Sequence, residues 1–370
     1  MTPAFAADDF RHMAQALRLA ARGACSTRPN PRVGCVLARD GEVVGAGWHA
    51  RAGGPHAEIE ALRAAGERAR GATCYVNLEP CCHHGRTPPC TNALIAAGVT
   101  RVVAALPDPN PLVAGGGLRQ LAAAGVAVQS DLMRAEAETL NRGFLLRMRS
   151  GRPHVRAKVG MSLDGRVAAA NGDSRWITSA TARHDVQRLR AESCAVLTGI
   201  GTVLADDPRF TVRDPDCLEL LVAQPHCVVL DSRLRIPATA RLLATPERVL
   251  LFVAEEAESR VDALRRSGVE VAVVSRHDGG LDLEAVLAEL GRRAFNDVLL
   301  EAGPALTGAM LTAGLVDELI CYLAPSLLGT AGLGMAVLPH SGLADAVGLE
   351  IADVRAIGPD LRITARPRRA

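Results

Sequence analysis

Short apolar runs of strand length recur along almost the entire chain, and segments with helical spacing lie between them. Residues 33–38 and 42–49 read as strands joined through Arg39-Asp40-Gly41, where Asp-Gly favours a hairpin turn. Residues 73–78, 101–106 and 126–129 read as further strands. Phe10, Met13, Leu17 and Ala20 recur at helical spacing ahead of Gly23, and helices are expected over 56–71, 91–98, 115–124 and 136–148. Downstream, 155–159, 195–198, 227–230, 249–253, 269–274, 298–300 and 319–323 are continuous apolar runs, as in strands buried on both faces. Helices are expected among them at 180–192, 257–267, 282–293 and 304–313. The alternation predicts an α/β protein with helices covering sheets. At 370 residues the chain exceeds one ordinary core, so two domains are expected. Ser150-Gly151-Arg152-Pro153 is the natural boundary, which gives domains 1–149 and 150–370.

In the first domain Pro55-His56-Ala57-Glu58 opens a helix and Leu78-Glu79-Pro80-Cys81 leaves a strand. Pro88-Pro89-Cys90 opens another helix, with Pro expected in its first turn and Gly98 at its end. His56, Cys81 and Cys90 are ligands of the types zinc prefers. Three of them leave a fourth position for water, whereas a structural site fills all four. Zinc lowers the pKa of bound water towards neutrality, and Glu58 is spaced to move protons. His-x-Glu followed by Pro-Cys and a further Cys is the signature of zinc deaminases acting on nucleobase-like rings. The usual Pro-Cys-x-x-Cys is stretched here, with eight residues between the thiols. Residues i and i+2 of a helix point to different sides, so His56 is expected at the helix entrance. Cys82 reads as a packing residue, because adjacent residues rarely aim at one ion. His83 and His84 lie in a Gly/Pro-rich loop and either face solvent or touch substrate.

With its insertion His-His-Gly-Arg-Thr-Pro-Pro, the motif resembles that of the bifunctional riboflavin biosynthesis deaminase/reductase family. Thr27-Arg28-Pro29-Asn30-Pro31-Arg32-Val33-Gly34-Cys35-Val36 resembles the substrate-side loop and first strand of its deaminase half, and Pro107-Asp108-Pro109-Asn110-Pro111 resembles its later loop. Lys158-Val159-Gly160-Met161-Ser162-Leu163-Asp164-Gly165-Arg166, Ser174-Arg175-Trp176-Ile177-Thr178-Ser179, Thr202-Val203-Leu204-Ala205-Asp206-Asp207-Pro208 and Glu301-Ala302-Gly303-Pro304 resemble successive motifs of its reductase half. The motifs follow in the expected order over almost the whole chain; Cys82 departs from the pattern, where Ser is expected.

The resemblance implies a cytidine-deaminase-like α/β/α domain holding one zinc ion, then a dihydrofolate-reductase-like α/β domain using NADPH. The first would deaminate a diaminopyrimidinone ribosyl phosphate, with Glu58 as the proton carrier and Asn30 and Arg86 holding base and phosphate. The second would reduce the ribosyl chain to ribityl. Gly160, Trp176, Thr202, Asp206, Ser232 and the turn Gly303, Pro304, Ala305, Leu306, Thr307, Gly308, Ala309 match cofactor positions; Ser174, Arg213 and Glu301 match substrate positions. Lys158 and Asp164 either line the hydride-transfer cleft or serve as a surface Lys and a turn Asp. Trp176 offers a flat face, although a large aromatic is commonly core. The glycine turns at Gly199-Ile200-Gly201 and Gly303 lack the G-x-G-x-x-G spacing and later acid of a Rossmann site.

Formal net charge is +2, with no basic stripe of the kind that marks a nucleic-acid binder. No apolar stretch approaches the roughly 20 residues of a membrane span. Met1-Thr2-Pro3-Ala4-Phe5 does not read as a secretory signal, so the ten cysteines are expected as cytoplasmic thiols and zinc ligands. Small phosphorylated pyrimidines are the expected partners, within a homo-oligomer, without nucleic acid or membrane. Two other readings stay open on the residues alone. One is a deaminase of free nucleosides or tRNA with an unrelated second domain. The other is a zinc-stapled binding protein in which His83 or His84 closes the site and Glu58 has no role.

Overall fold

The computed structural model describes residues 5–83, 88–254, 258–277, 279–339 and 342–368. The chain divides into two compact units, Met1–Gly151 and Arg152–Ala370. In the first, β1 (Gly34–Arg39) and β2 (Glu42–Trp48) form the expected hairpin, with Asp40 and Gly41 both at positive φ. β1 also pairs antiparallel with β3 (Thr73–Val76), and β4 (Arg101–Ala104) and β5 (Ala127–Ser130) continue in parallel. The order is β2-β1-β3-β4-β5.

Alternation along β1 sends Cys35 and Leu37 to one face and Val36 and Ala38 to the other. The first face packs under α2 (Ala57–Ala65), α3 (Cys90–Ala96) and α4 (Gly116–Ala123). The second packs under α1 (Ala7–Ala21) and α5 (Arg134–Ser150). Gly45 and Gly47 bring α2 unusually close to β2: a Cβ on Gly45 would sit 2.3 Å from the Ala61 carbonyl oxygen, and one on Gly47 2.9 Å from that of Ala57. Two expectations change. Phe10 is 48 % exposed, and Asp9, His12, Met13, Ala16 and Ala20 form the buried face of α1 instead. Pro89 precedes α3 as its cap residue, so proline lies just outside the first turn.

In the second unit, the strands of the main sheet begin with β6 (His154–Ser162). A short β7 (Arg166–Ala168) follows, then β8 (Ala195–Gly199), β9 (His226–Leu230), β10 (Val249–Val253) and β11 (Glu270–Val273). After the two-residue strands β12 (Arg276–His277) and β13 (Gly280–Leu281) come β14 (Asp297–Leu300), β15 (Glu318–Ala324), β16 (Leu333–Gly334), β17 (Leu349–Ile357) and β18 (Asp360–Pro367). Among the described residues the sheet has nine strands, ordered β11-β10-β9-β8-β14-β6-β15-β18-β17. The first seven in that order run parallel. One face is covered by α6 (Ala180–Ala191), α7 (Ile200–Asp206) and α9 (Glu258–Arg266), the other by α10 (Leu283–Arg292) and α11 (Pro304–Thr312). A further short helix, α8 (Pro215–Leu220), is capped by Asp214, which accepts the Cys217 N–H at 3.0 Å.

The β17–β18 hairpin, α7 and α8 are not expected from apolar runs. β17 is an exposed edge strand interleaved with Glu350, Asp353 and Arg355, so it has no continuous apolar stretch. Among the described residues no helix is long and apolar enough to cross a membrane.

Candidate active sites

In the first unit the ends of three elements converge. His56 is the cap residue of α2 in extended conformation, and Glu58 lies in the first turn. β3 leads through Glu79-Pro80 to Cys81, and Cys90 is the first residue of α3. His56 Nδ1 lies 3.2 Å from Cys90 Sγ and 3.5 Å from Cys81 Sγ. All three donor atoms lie within 4.8 Å of one another. The Cys90 N–H points at Cys81 Sγ at 3.4 Å. Hydrogen bonding from Cys90 and His56 outweighs burial and lowers the Cys81 thiol to about 4, while the bond to Cys81 pushes Cys90 up. Two soft sulfurs and an imidazole, one sulfur already favoured as thiolate, form a donor set suited to zinc. Among the described residues, His83 does not join this donor group.

Glu58 is 3 % exposed, and burial pushes its carboxyl up to about 7, against the opposing pull of His56. It lines a cleft of about 570 Å³ together with His56 and Cys81. Asn30 is also there: its amide nitrogen lies 3.0 Å from His49 Nε2. His49 Nδ1 lies 2.9 Å from the Pro55 carbonyl oxygen. A carbonyl only accepts, so Nδ1 carries the proton and Nε2 accepts from Asn30. His83 lines the cleft too, whereas Cys82 sits against Gly116 on the first turn of α4, in keeping with a packing residue. Arg86 and His84 lie outside the described residues.

The segment bearing Asn30 is held from both sides. Asn77 donates to the Arg32 carbonyl at 2.9 Å and accepts the Gly34 N–H at 2.8 Å. Asn141 accepts the Arg32 N–H at 2.8 Å and donates to the same carbonyl at 2.9 Å. Sequence reasoning singled out the loop of Asp108 and Asn110 by its resemblance without giving either residue a role, and gave none to His49, Glu79 or Arg147; all five line the cleft. The run of alternating prolines around Asp108 and Asn110 was the available signal; for Arg147 there was none.

In the second unit, the candidate residues gather at the C-terminal ends of adjacent parallel strands. Glu301 follows β14 and is 8 % exposed. Arg190 of α6 grips its carboxylate with Nε at 2.5 Å and a terminal nitrogen at 3.0 Å, and Lys158 Nζ of β6 lies 3.5 Å away. Burial would raise the Glu301 pKa, but the two cations hold it down at about 2. Gly199, the last residue of β8, and Gly303, after β14, cap α7 and α11 without a side-chain hydrogen bond, leaving N–H groups at both helix starts. No atom lies within 4 Å of a Cβ position on Gly201 or Gly303. Two open helix starts beside neighbouring strand ends suit the phosphates of a dinucleotide such as NADPH.

Thr202 lies in the first turn of α7, and Asp206 ends it, 3.3 Å from Arg175. Gly160 lies on β6 beside Thr178, Ser174 is half-buried, and Ser232 follows β9. Pro304, Ala305 and Leu306 form the first turn of α11, with Ala309 exposed beyond it.

Four placements correct or narrow the expectations. Trp176 is 72 % exposed under the Arg183 guanidinium, 4.4 Å from its ring, so the core alternative fails. Asp164 accepts the N–H groups of Leu328 and Gly329 at 3.1 and 2.8 Å, binding a loop with its carboxylate. Thr307 and Gly308 are buried, and a Cβ on Gly308 would lie 1.9 Å from the Val337 carbonyl oxygen, so both face protein. Arg213 is exposed, its N–H donating to Gln187 at 2.8 Å. Arg190 was missed because it lies 111 residues from Glu301 and belongs to no local motif.

Known proteins match this arrangement. Residues 6–106 match the family model of the cytidine and deoxycytidylate deaminase zinc-binding region, and residues 153–363 match that of the RibD C-terminal domain. The riboflavin biosynthesis protein RibD of Escherichia coli is 51 % identical, over 95 % of this chain and 98 % of that protein. Its Haemophilus influenzae counterpart is 46 % identical, over 98 % and 99 %. Among solved structures, Acinetobacter baumannii RibD superposes with a TM-score of 0.91 at 45 % identity, covering 98 % of this chain and 99 % of that one. A diaminohydroxyphosphoribosylaminopyrimidine deaminase/5-amino-6-(5-phosphoribosylamino)uracil reductase from Thermotoga maritima superposes with a TM-score of 0.85 at 31 % identity, with the same coverage. Identity at this level over essentially the whole length of both units places the chain in the RibD family of riboflavin biosynthesis proteins.

Proposed function

We propose that this chain performs two successive steps of riboflavin biosynthesis, one in each unit. The first unit, cytidine-deaminase-like, hydrolyses 2,5-diamino-6-(5-phosphoribosylamino)pyrimidin-4(3H)-one to 5-amino-6-(5-phosphoribosylamino)uracil. The second, dihydrofolate-reductase-like, reduces the ribosyl chain of that product to ribityl with NADPH. The observation that carries the reading is the three-donor cluster of His56, Cys81 and Cys90, two of whose members, His56 and Cys81, line a cleft together with buried Glu58.

His56, Cys81 and Cys90 would hold zinc, which when bound activates water by lowering its pKa. Glu58 takes the first proton of the attacking water and passes it to a ring nitrogen; it then takes the remaining hydroxyl proton, as the carbonyl forms, and passes it to the amine that departs as ammonia. Burial raises its carboxyl above the ordinary carboxylate value, which favours the protonated form it needs as a donor. Asn30, oriented by His49, holds the pyrimidine edge, and Arg86 takes the phosphate.

In the second unit the starts of α7 and α11, with Gly160, Trp176, Thr202, Asp206, Ser232 and Gly303, would hold NADPH, which supplies the hydride. Glu301, fixed as a carboxylate by Arg190 and Lys158, accepts from sugar hydroxyls. Ser174 and Arg213 complete the substrate contacts, and Asp164 shapes the neighbouring loop. We further infer a cytoplasmic homo-oligomer without nucleic-acid or membrane partners. Ten cysteines without a disulfide among the described residues support the compartment, and a net charge of +2 supports the small-molecule role. The apolar exposed residues of edge strand β17 support self-association.

Mass-resolved product analysis with zinc-quantified protein tests both steps. A gain of about one mass unit without NADPH marks exchange of amino for oxo. About two further units with NADPH mark hydride plus proton. No mass change on this substrate, with zinc bound, refutes the assignment.

A further inference from the structure

Glu79 lies between β3 and Cys81 and is 4 % exposed. One carboxylate oxygen accepts the N–H groups of Asp108 at 2.9 Å and Gly115 at 3.0 Å, and the other accepts that of Leu118 at 3.1 Å. Its own N–H donates to the Leu106 carbonyl at 2.9 Å. The carboxylate donors bracket residues 108–118, which include the loop bearing Asp108 and Asn110 and the first turn of α4. A carboxylate at a helix start is well placed electrostatically, and N–H bonds to an ionised acceptor are stronger than neutral ones.

An independent feature joins the same two segments. A Cβ on Gly117 would lie 2.0 Å from the Pro80 carbonyl oxygen, and one on Gly116 2.9 Å from Cys82 Sγ. The first turn of α4 therefore rests on the Pro80 backbone before Cys81 and on the Cys82 side chain after it. Within the loop, Asp108 accepts the Asn110 N–H at 2.8 Å, and Asn110 accepts that of Leu112 at 3.1 Å. Asp108 and Asn110 both line the cleft that contains Glu58.

We propose that Glu79 is a positioning residue for deamination: it locks residues 108–118 against the Pro80–Cys82 segment, so that Asp108 and Asn110 present a fixed wall to the pyrimidine. The proposal rests on the deaminase reading given above. A glutamine cannot replace Glu79, because its amide NH2 would meet backbone donors and leave them unpaired.

Steady-state deamination by the full-length, zinc-quantified protein tests this with Glu79→Gln, Asn110→Ala and the double variant. Glu79→Gln should raise KM by about 10–100-fold, the scale expected when a supporting residue lets a binding group shift by about 1 Å. The change in kcat should be smaller, with wild-type zinc content and unchanged reductase activity. In the Asn110→Ala background Glu79→Gln should add little, since both act through one loop. An unaltered KM, a loss that tracks zinc content, or full additivity with Asn110→Ala overturns the proposal. Should Glu79→Gln not fold, Gly117→Ala, which forces α4 off Pro80, must raise KM in the same way, and a normal KM there overturns it. Wild-type protein that fails to deaminate the diaminopyrimidinone would instead refute the functional reading, so the two failures are distinct.

Discussion

Two carboxylates of this chain are buried to a similar degree and driven in opposite directions. Glu58 has burial as its dominant influence and titrates near 7; Glu301 has two cations and is held at about 2. The first is suited to moving protons, the second to remaining an acceptor. Glu58→Gln should lower deamination by at least about a hundredfold, the usual worth of a general acid–base group. Zinc content and NADPH-dependent reduction should stay at wild-type levels; loss of both activities together would contradict separate sites. Glu301→Gln leaves Arg190 without its bidentate partner and should cost about 3 kcal/mol of stability near neutrality. Because the folded pKa of Glu301 lies below its ordinary value of 4.5, its contribution is complete above about 4.5 and disappears as pH falls towards 2. Urea titrations should therefore show the gap between wild type and variant narrowing from pH 6 to pH 3. A constant gap would mean the ion pair contributes nothing to the difference.

At the level of elements, helix α2 sets the depth of the metal cluster. It lies directly on β2 because Gly45 and Gly47 have no side chain to hold it off. Gly45→Val should displace α2 and with it His56 and Glu58, lowering zinc stoichiometry as read by atomic absorption. Full zinc occupancy in that variant would show that the cluster tolerates movement of α2. At the edge of the other sheet, β17 exposes Leu349, Ile351 and Val354, with Ile351 at 63 %. If this strand joins two copies, Ile351→Lys should reduce the mass seen in analytical ultracentrifugation while leaving the monomer folded. An unchanged mass would exclude β17 from the contact.

For the molecule as a whole, the candidate residues of each activity fall within one compact unit, Asn30 to Cys90 in the first and Lys158 to Ala309 in the second. Dialysis against a chelator should therefore abolish deamination and leave NADPH oxidation by the deaminated substrate intact; parallel loss would show that zinc supports both. The zinc cluster was legible in the sequence because two ligands sit at helix starts and the third follows a strand through Glu79-Pro80, so that short motifs fix both their type and their direction. The strands of the sheet interiors were legible for a similar reason, since burial on both faces demands continuous apolar runs.

Other features depend on residues far apart in the chain, and no local pattern announces them. Arg190 reaches Glu301 only because α6 packs over β14. Trp176 turns outward, and Phe10 yields the buried face of α1 to Met13 and Ala16, because the neighbouring sheet decides which side of an element is covered. Glu79 resembles any acidic residue before a proline until folding brings residues 108–118 to its carboxylate. Residue type and short-range spacing state the chemistry available to a chain. Which polar groups meet, and which faces are buried, follows from long-range packing, where the free energy of a contact depends on both partners.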